Sequence, residues 1–547
     1  MIDKYSKYKE YSTKVINDNI VTCNYIKLAV QRYHSWFDRT DIYFDDEAVE
    51  KVINFISKLK HFTGKHNNKP FILEEWQKWI IYNIFGWKWK DTNLRVCKNV
   101  YVEIARKNGK SAFAVAIALY CLMCDNEANA EVEFIANSRK QAGICFSMAQ
   151  NFVSTLINGK KKNKYFKLYR DKIDFLPTKS FLQVLSSDAS NADGWCSSCY
   201  ITDEYHSHNT SAMYDVMKSS QGMREQPLSI VITTAGFNLF SPCYQMRKTN
   251  IEVLQKLKQD DTTFIAIYTL DDGDDWNDEN VWIKSNPNLN VTVKKQYLTE
   301  QVQQATNNNS MQVPILTKNF NVWQQASNVW LSNDDLMKIS KPLKFEDFTD
   351  CICNVGVDLS AVSDLTAVSF HYIKDDINYF ITKYYLPQDV IDHHPNSILY
   401  RQWQRKGYLT STNGNVVDYD YITNDLLNIN QITPFNVIAY DAFNATQWAV
   451  NCSAQNLNLI PFSQAIWNFN KPTKEFERLT KSGKIILDDN PITRWCFSNA
   501  VLKFDNNENC KPIKENYNNK IDGVIAILQA LGVSLTQTKF GNEIFAV

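Results

Sequence analysis

A short alternating strand, a polar loop and a long apolar helix follow one another between residues 99 and 124, and this succession constrains the fold most strongly. The strand pattern covers Asn99–Ile104, and the apolar run Ala112–Cys124 is too short for a membrane span and indicates a buried helix. Further strands are predicted at Val132–Ala136, Ser198–Thr202 and Ser229–Thr233. Strands alternating with helices predict an α/β fold with a mostly parallel sheet.

A second α/β block begins near residue 351, after a polar stretch that breaks the periodicity. Its predicted elements are the strands Ile352–Val357, Leu365–Phe370 and Val437–Tyr440 and a helix from Asp522 to about Leu531. A chain of 547 residues is too long for one ordinary core. We therefore predict an N-terminal helical segment over 1–65, an α/β domain over 66–335, a linker over 336–350 and a mixed α/β domain over 351–547.

The charged residues balance, since Lys+Arg and Asp+Glu both total 59. Any attraction for nucleic acid must therefore be local. The clearest candidate for such a local attraction is the run Lys160–Lys164, although such a run is more typical of a solvated loop.

Thirteen scattered cysteines and a charged start without a signal peptide predict reduced thiols in a cytoplasm. The pairs Cys121/Cys124 and Cys196/Cys199 have different surroundings, so we expect no structural zinc site.

The loop after the first strand ends in Gly109-Lys110-Ser111 and leads into a helix, which is the context in which this triplet indicates a phosphate-binding loop. Backbone N–H groups of the loop would surround a phosphate, Lys110 would reach its outer oxygens, and Ser111 would bind Mg²⁺. The loop departs from the usual pattern at Ile104, where such loops have their first glycine.

Two later strands end in residues that suit the same site. Asp203 and Glu204 end one strand, where Asp203 would hold Mg²⁺ and Glu204 would orient the attacking water. Thr233 and Thr234 end the next and would sense the γ-phosphate. The alternatives are a surface acidic pair that caps a helix and an ordinary threonine-rich strand end.

Acidic residues also mark the second block. Asp358 and Asp441 each end a predicted strand, and Asp522 opens the last predicted helix. If they converge, their mutual repulsion would favour binding of divalent metal, and two such ions can hydrolyse a phosphodiester. Asp364 is a possible further ligand. The alternative for each residue is a turn or helix-capping role.

Several of these motifs together resemble the large terminase subunit of tailed bacteriophages. The residues that carry the resemblance are Arg106-Lys107-Asn108-Gly109-Lys110-Ser111, Asp203-Glu204, Thr233-Thr234-Ala235-Gly236 and Asn286-Pro287-Asn288-Leu289. The resemblance implies a P-loop ATPase domain followed by a ribonuclease H-like nuclease domain. It also implies that Gln77 recognises adenine and that Arg106 is an arginine finger in cis, while Arg224 is a candidate finger in trans.

The family's activity would be ATP-driven packaging of double-stranded DNA into the procapsid and cutting of concatemeric DNA. The resemblance implies ATP with Mg²⁺ at the first site and two Mg²⁺ or Mn²⁺ ions at the second. Implied partners are viral DNA, a small terminase subunit, the portal protein and further copies in a ring, all in the host cytoplasm and without a membrane. Alternatives are a DNA helicase or remodelling ATPase, and a non-catalytic DNA-binding capsid-associated protein.

Overall fold

The computed structural model describes residues 4–540 apart from 63, 65–66, 157–161, 186–193, 309–310, 325–329, 332, 361–363, 395, 443–444, 506 and 515–519. The chain folds into two compact units, Met1–Gln324 and Gln325–Val547. Part of the lysine run over 160–164 lies outside the described residues. No described helix has both the length and the apolar character needed to cross a membrane.

The first unit contains twelve helices and ten strands among its described residues. The helices are α1 (Ser6–Ile16), α2 (Asn24–Ser35), α3 (Asp46–Ile56), α4 (Glu75–Phe85), α5 (Lys110–Met123), α6 (Arg139–Leu156), α7 (Lys162–Tyr165), α8 (Ala212–Ser220), α9 (Pro242–Leu254), α10 (Trp282–Ser285), α11 (Lys295–Asn307) and α12 (Gln312–Asn319). The strands are β1 (Ile42–Phe44), β2 (Trp87–Trp89), β3 (Asn99–Glu103), β4 (Glu131–Ile135), β5 (Phe166–Leu168), β6 (Lys172–Phe175), β7 (Ser180–Leu185), β8 (Cys199–Asp203), β9 (Leu228–Thr233) and β10 (Thr263–Ile267).

Eight of these strands form one sheet in the order β10-β3-β9-β8-β4-β7-β6-β5. All neighbours are parallel except at one edge of the sheet, where β6 is antiparallel to both β5 and β7. The predicted mostly parallel sheet is therefore confirmed. Because β3, β9 and β8 are parallel neighbours, their carboxyl ends lie side by side at the same end of the sheet. Ligand sites of open α/β sheets lie at this end of the strands.

Strand β8 begins at Cys199, and all five of its residues are buried. Two serines, Ser197 and Ser198, lie just before the strand. The structure places them ahead of the strand, where Ser197 donates a hydrogen bond of 2.6 Å to the buried carboxylate of Glu133. Ser197 therefore gives a hydrogen bond to one oxygen of a buried side chain, and the strand itself begins after both serines.

The N-terminal helices share one apolar core with the large sheet. Tyr33 of α2 stacks on Phe264 of β10 with ring centroids 5.0 Å apart, and its hydroxyl donates to the Thr263 carbonyl. Trp79 of α4 packs edge-on against the same Phe264 ring. The division of the chain into four segments stays a proposal, but helices α1, α2 and α3 pack into the core of the first unit.

The second unit contains eight helices and ten strands among its described residues. The helices are α13 (Asn333–Ile339), α14 (Gln388–His393), α15 (Ser397–Arg405), α16 (Tyr419–Ile432), α17 (Thr446–Ser453), α18 (Ile466–Lys481), α19 (Pro491–Ser498) and α20 (Asp522–Phe540). The strands are β11 (Ser340–Lys341), β12 (Cys353–Asp358), β13 (Thr366–Lys374), β14 (Ile377–Pro387), β15 (Thr410–Thr412), β16 (Phe435–Tyr440), β17 (Leu459–Pro461), β18 (Ile485–Asp488), β19 (Ala500–Phe504) and β20 (Cys510–Lys514).

The main sheet of this unit has the order β11-β18-β14-β13-β12-β16-β17, with β15 paired to β14. Strand β13 is antiparallel to both β12 and β14, whereas β12 and β16 are parallel. The predicted mixed α/β fold is confirmed. Within the predicted linker over 336–350, Ser340 and Lys341 pair with β18 at the edge of this sheet.

Helix α20 packs closely on β12 because Gly356 has no side chain. A Cβ atom at Gly356 would lie 2.1 Å from the Ala526 carbonyl oxygen and 2.5 Å from the Ala530 nitrogen. Gly356 thus determines the distance between α20 and β12. Helix α20 begins at Asp522 and β12 ends at Asp358, so the same contact brings these two acids near each other.

We predict that Gly356→Ala lowers the free energy of unfolding by about 1–3 kcal/mol or more, because a buried helix must move to admit the methyl group. Chemical denaturation of the full chain measures this change. Gly222→Ala is the control, since a Cβ there meets nothing within 4 Å and should change stability by less than about 0.5 kcal/mol. Equal stability of the two variants would contradict the close packing.

Candidate functional site

The phosphate loop runs from the end of β3 into α5. Gly109 has φ +81°, the left-handed conformation that glycine adopts without strain, and α5 begins at the next residue. The Lys110 side chain is buried, and its Nζ lies 2.8 Å from Oε1 of Glu204. The predicted loop and the predicted acidic strand end therefore meet.

Asp203 lies at the end of β8 and faces the start of α5. Its Oδ2 accepts hydrogen bonds from the Ser111 hydroxyl at 3.3 Å and the Cys145 thiol at 3.1 Å. Its Oδ1 is buried and has no hydrogen-bond partner among the described residues. Burial, and then the charge of Glu204, raise the pKa of Asp203. A buried carboxylate with an open oxygen beside a serine hydroxyl fits a divalent cation.

Glu204 has φ +51°, so its backbone turns sharply after β8. Its Oε2 lies 3.1 Å from Nδ1 of His206 and accepts a hydrogen bond of 3.4 Å from the Thr234 hydroxyl. Burial alone would raise the pKa of Glu204, but the bond from His206 and the Lys110 ammonium outweigh it and hold the pKa well below the ordinary value. An ionised carboxylate in this position can accept a proton or orient a water molecule.

Thr233 and Thr234 bring the end of β9 to the same place. The Thr233 hydroxyl accepts from the His206 backbone N–H at 3.0 Å and donates to the Thr234 carbonyl at 2.9 Å. The next amide, at Ala235, donates to Oδ1 of Asn321 at 2.6 Å. His206 lies two residues after Glu204, and that proximity in the chain was the only sequence signal of its contact with Glu204.

The other predicted residues of this site have different positions. Gln77 is buried and its Oε1 accepts from the Glu74 backbone N–H at 3.0 Å, so it closes the first turn of α4. Arg106 and Lys107 are exposed in the loop, whereas Asn108 is completely buried.

Arg224 lies away from the loop. Its guanidinium donates to the carbonyls of Cys196 at 2.9 Å and Asn129 at 3.0 Å, and it is 3.4 Å from a Glu127 oxygen. These partners precede β4 and β8, at the sheet edge opposite the phosphate loop. A role at a neighbouring subunit would require these contacts to break, so the geometry does not favour an arginine finger in trans.

The acids of the second unit converge at the carboxyl ends of β12 and β16. The two strands are parallel with Val357 opposite Tyr440, so Asp358 and Asp441 follow side by side. Burial, and then the charges of Asp522, Asp441 and Asp364, raise the pKa of Asp358 well above the ordinary value. Burial, followed by the charge of Asp364, raises the pKa of Asp522 to about 6.

Asp358, Asp364 and Asp522 line a cleft of about 460 Å³ together with residues 511–514 of β20. No three His, Cys, Asp or Glu side chains within the described ranges are already arranged around one metal position. Asp364 instead forms ion pairs with Lys514 and Lys520, and Asp358 accepts from Gln464 at 3.3 Å. Oδ2 of Asp522, however, is buried and has no hydrogen-bond partner among the described residues. The donor set fits a divalent cation, which would offset the repulsion between these acids.

Two family models match the chain in succession. Residues 75–252 match the ATPase domain of the terminase large subunit, and residues 257–537 match its endonuclease domain. The endonuclease match leaves the helicase and non-catalytic alternatives without support. An ATPase and a nuclease domain imply the use of nucleotide and divalent metal, and the family implies DNA binding within the phage packaging machinery.

Individual relatives agree with these matches. Protein YmfN of Escherichia coli (strain K12) is 34% identical over 366 residues, which cover 63% of this chain and 79% of the relative. The terminase large subunit of Enterobacteria phage HK97 is 25% identical over 504 residues, covering 89% of this chain and 95% of the relative. The crystal structure of the HK97 large terminase matches this chain with a TM-score of 0.53 at 24% identity, and the match covers 89% of this chain and 99% of that chain.

The fold is therefore that of a terminase, with a P-loop ATPase unit before a ribonuclease H-like unit. The chain belongs to the terminase large subunit family and is a DNA-packaging motor with ATPase and endonuclease activity.

Proposed function

We propose that ATP is bound and hydrolysed at the phosphate loop of the first unit. Lys110 binds the outer phosphate oxygens, and Ser111 and Asp203 hold a Mg²⁺ ion, which neutralises charge on the phosphates when bound. Glu204 orients the attacking water. The observation that supports this assignment is the open, buried Oδ1 of Asp203 directly beside the Ser111 hydroxyl.

The remaining residues of the motor site have supporting roles in this proposal. Arg106 is exposed in the loop and stabilises charge on the transferred phosphoryl group. Gln77 contacts adenine from the start of α4. Thr233 and Thr234 report the state of the γ-phosphate, since Thr234 donates to the same carboxylate that pairs with Lys110.

We further propose that DNA is cut in the cleft of the second unit. Asp358, Asp441 and Asp522 hold two Mg²⁺ or Mn²⁺ ions there, which when bound activate water and stabilise the leaving oxygen. Asp364 is a further ligand once it exchanges its lysine partners for metal. The support is the closeness of these carboxylates: burial and then the charges of Asp522, Asp441 and Asp364 raise the pKa of Asp358, and burial and then the charge of Asp364 raise the pKa of Asp522.

The partners follow from the packaging activity. We propose that several copies form a ring on the portal protein of the procapsid and receive viral DNA from a small terminase subunit in the host cytoplasm. Duplex DNA is gripped by its phosphates, with little sequence preference from this chain.

Lys110→Ala should lower the rate of DNA-stimulated ATP hydrolysis at least about 100-fold, because the phosphates lose a buried charge-assisted contact. Metal-dependent DNA cutting by the same purified protein should be retained. The control is Lys167→Ala, which removes an exposed lysine of β5 and should leave both activities unchanged.

Asp441→Asn should give the opposite pattern, with cutting reduced at least about 100-fold and ATP hydrolysis retained. Asp376→Asn is its control, because Asp376 has 81% of its side chain exposed in the same unit. Loss of both activities in folded Lys110→Ala and Asp441→Asn proteins would refute the assignment of two separate sites.

Metal should stabilise the second unit through the same acids. Saturating Mn²⁺ at 100 times its dissociation constant should stabilise the wild-type chain by about 2.7 kcal/mol. Asp522→Asn should raise the melting temperature of the metal-free protein, because it removes a buried charge that has an unpartnered oxygen, and should lose the gain from Mn²⁺. If Mn²⁺ stabilised Asp522→Asn as much as the wild type, the metal would bind somewhere other than at these acids.

A further inference from the structure

The phosphate loop is held by a segment far along the chain whose role the sequence did not reveal. Asn108, at the centre of the loop, is completely buried. Its Nδ2 donates to the Ala105 carbonyl at 3.1 Å and to Oδ1 of Asn286 at 2.9 Å, while its Oδ1 accepts from the Asn288 backbone N–H at 3.1 Å. One side chain therefore fixes the loop backbone to residues 286–288.

Asn288 adds a second connection in the other direction. Its Nδ2 donates to the Asn108 carbonyl at 3.0 Å, and its Oδ1 accepts from Nε1 of Trp76 at 2.7 Å. Asn288 and Trp76 are both buried, so neither bond competes strongly with water. The position of the loop is thereby set relative to the first turn of α4.

Lys107 shows why the loop needs this support. It has φ +68°, a left-handed conformation that a residue other than glycine adopts at a cost. The Thr292 hydroxyl donates to the Lys107 carbonyl at 2.7 Å, and the Lys107 ammonium lies 3.8 Å from the centre of the Tyr297 ring. The strained residue is thus held at both its backbone and its side chain.

We infer that Asn286, Asn288, Thr292 and Tyr297, which we call the loop clamp, are positioning residues for ATP hydrolysis. Phosphate-binding loops depend on backbone N–H groups held in a fixed direction. Here Ile104 replaces the usual first glycine and is buried, and Lys107 is strained, so contacts from outside the loop keep it in place. The inference rests on the proposed assignment of this loop as the nucleotide site.

The clamp residues fall within residues 257–537, the range matched by the endonuclease family model. In the structure they belong to the first unit and contact the loop. The loop clamp therefore serves the ATPase site, and its loss should affect ATP hydrolysis and leave DNA cutting intact.

The test compares the full-length Asn288→Asp, Thr292→Val and Thr292→Ser proteins for kcat and KM of ATP hydrolysis. Asn288→Asp keeps the acceptor for Trp76 but turns a carboxylate oxygen toward the Asn108 carbonyl, and should lower kcat/KM about 10- to 100-fold. Thr292 is exposed, so Thr292→Val removes only its hydroxyl and should lower kcat/KM about two- to tenfold. Most of each loss should lie in kcat, because a displaced loop misorients the bound phosphates.

Thr292→Ser keeps the hydroxyl and should hydrolyse ATP as the wild type does. Metal-dependent DNA cutting and the melting temperature of Thr292→Val should match wild type. If Asn288→Asp and Thr292→Val retain wild-type kcat while Lys110→Ala is inactive, the clamp is refuted and the proposed nucleotide site stands. If Lys110→Ala itself hydrolyses ATP normally, the proposed site fails instead.

Discussion

Negative charge concentrated at the carboxyl ends of buried parallel strands is the constraint on which both sites depend. Removing a carboxylate from water costs several kcal/mol unless a cation or hydrogen-bond donors replace the water. The first unit supplies its own cation to Glu204 in the form of Lys110. The same arrangement leaves one oxygen of Asp203 without a partner among the described residues, and this is where we propose that an ion completes the site.

Among the described residues of the second unit, only some of the buried carboxylate oxygens have a cation or donor beside them. Lys514 and Lys520 neutralise Asp364, but Asp358 and Asp522 are buried, and burial and then the charges of nearby carboxylates raise the pKa values of both. A protein that needed only stability would replace such acids with apolar residues. The presence of these acids in a polar cleft therefore lowers the stability of the fold and favours the binding of cations, as we propose for this cleft.

The sequence predicted the features that depend only on the order of neighbouring residues, namely the strand ends and the acids that follow them. Strand ends were placed within a few residues, and Asp203, Asp358 and Asp441 were expected at those ends because each follows a run of apolar residues. Parallel pairing then brings the ends together without further information. The sequence could not show that β9 lies between β3 and β8, since strand order in a sheet depends on crossovers and not on local pattern.

Contacts between distant polar side chains were also beyond sequence reasoning. Asn108 and Asn288 are 180 residues apart, and although each lies in a motif that the sequence analysis named, nothing in either motif indicates that the two side chains touch. The same holds for Asn321, whose Nδ2 donates to the buried Glu103 carboxylate at 3.2 Å while its Oδ1 accepts from Ala235. Asn288 thus contacts the phosphate loop, and Asn321 contacts the strand end that carries Thr233 and Thr234. These contacts connect the two segments that we propose to face the nucleotide with the part of the motor unit that follows β10.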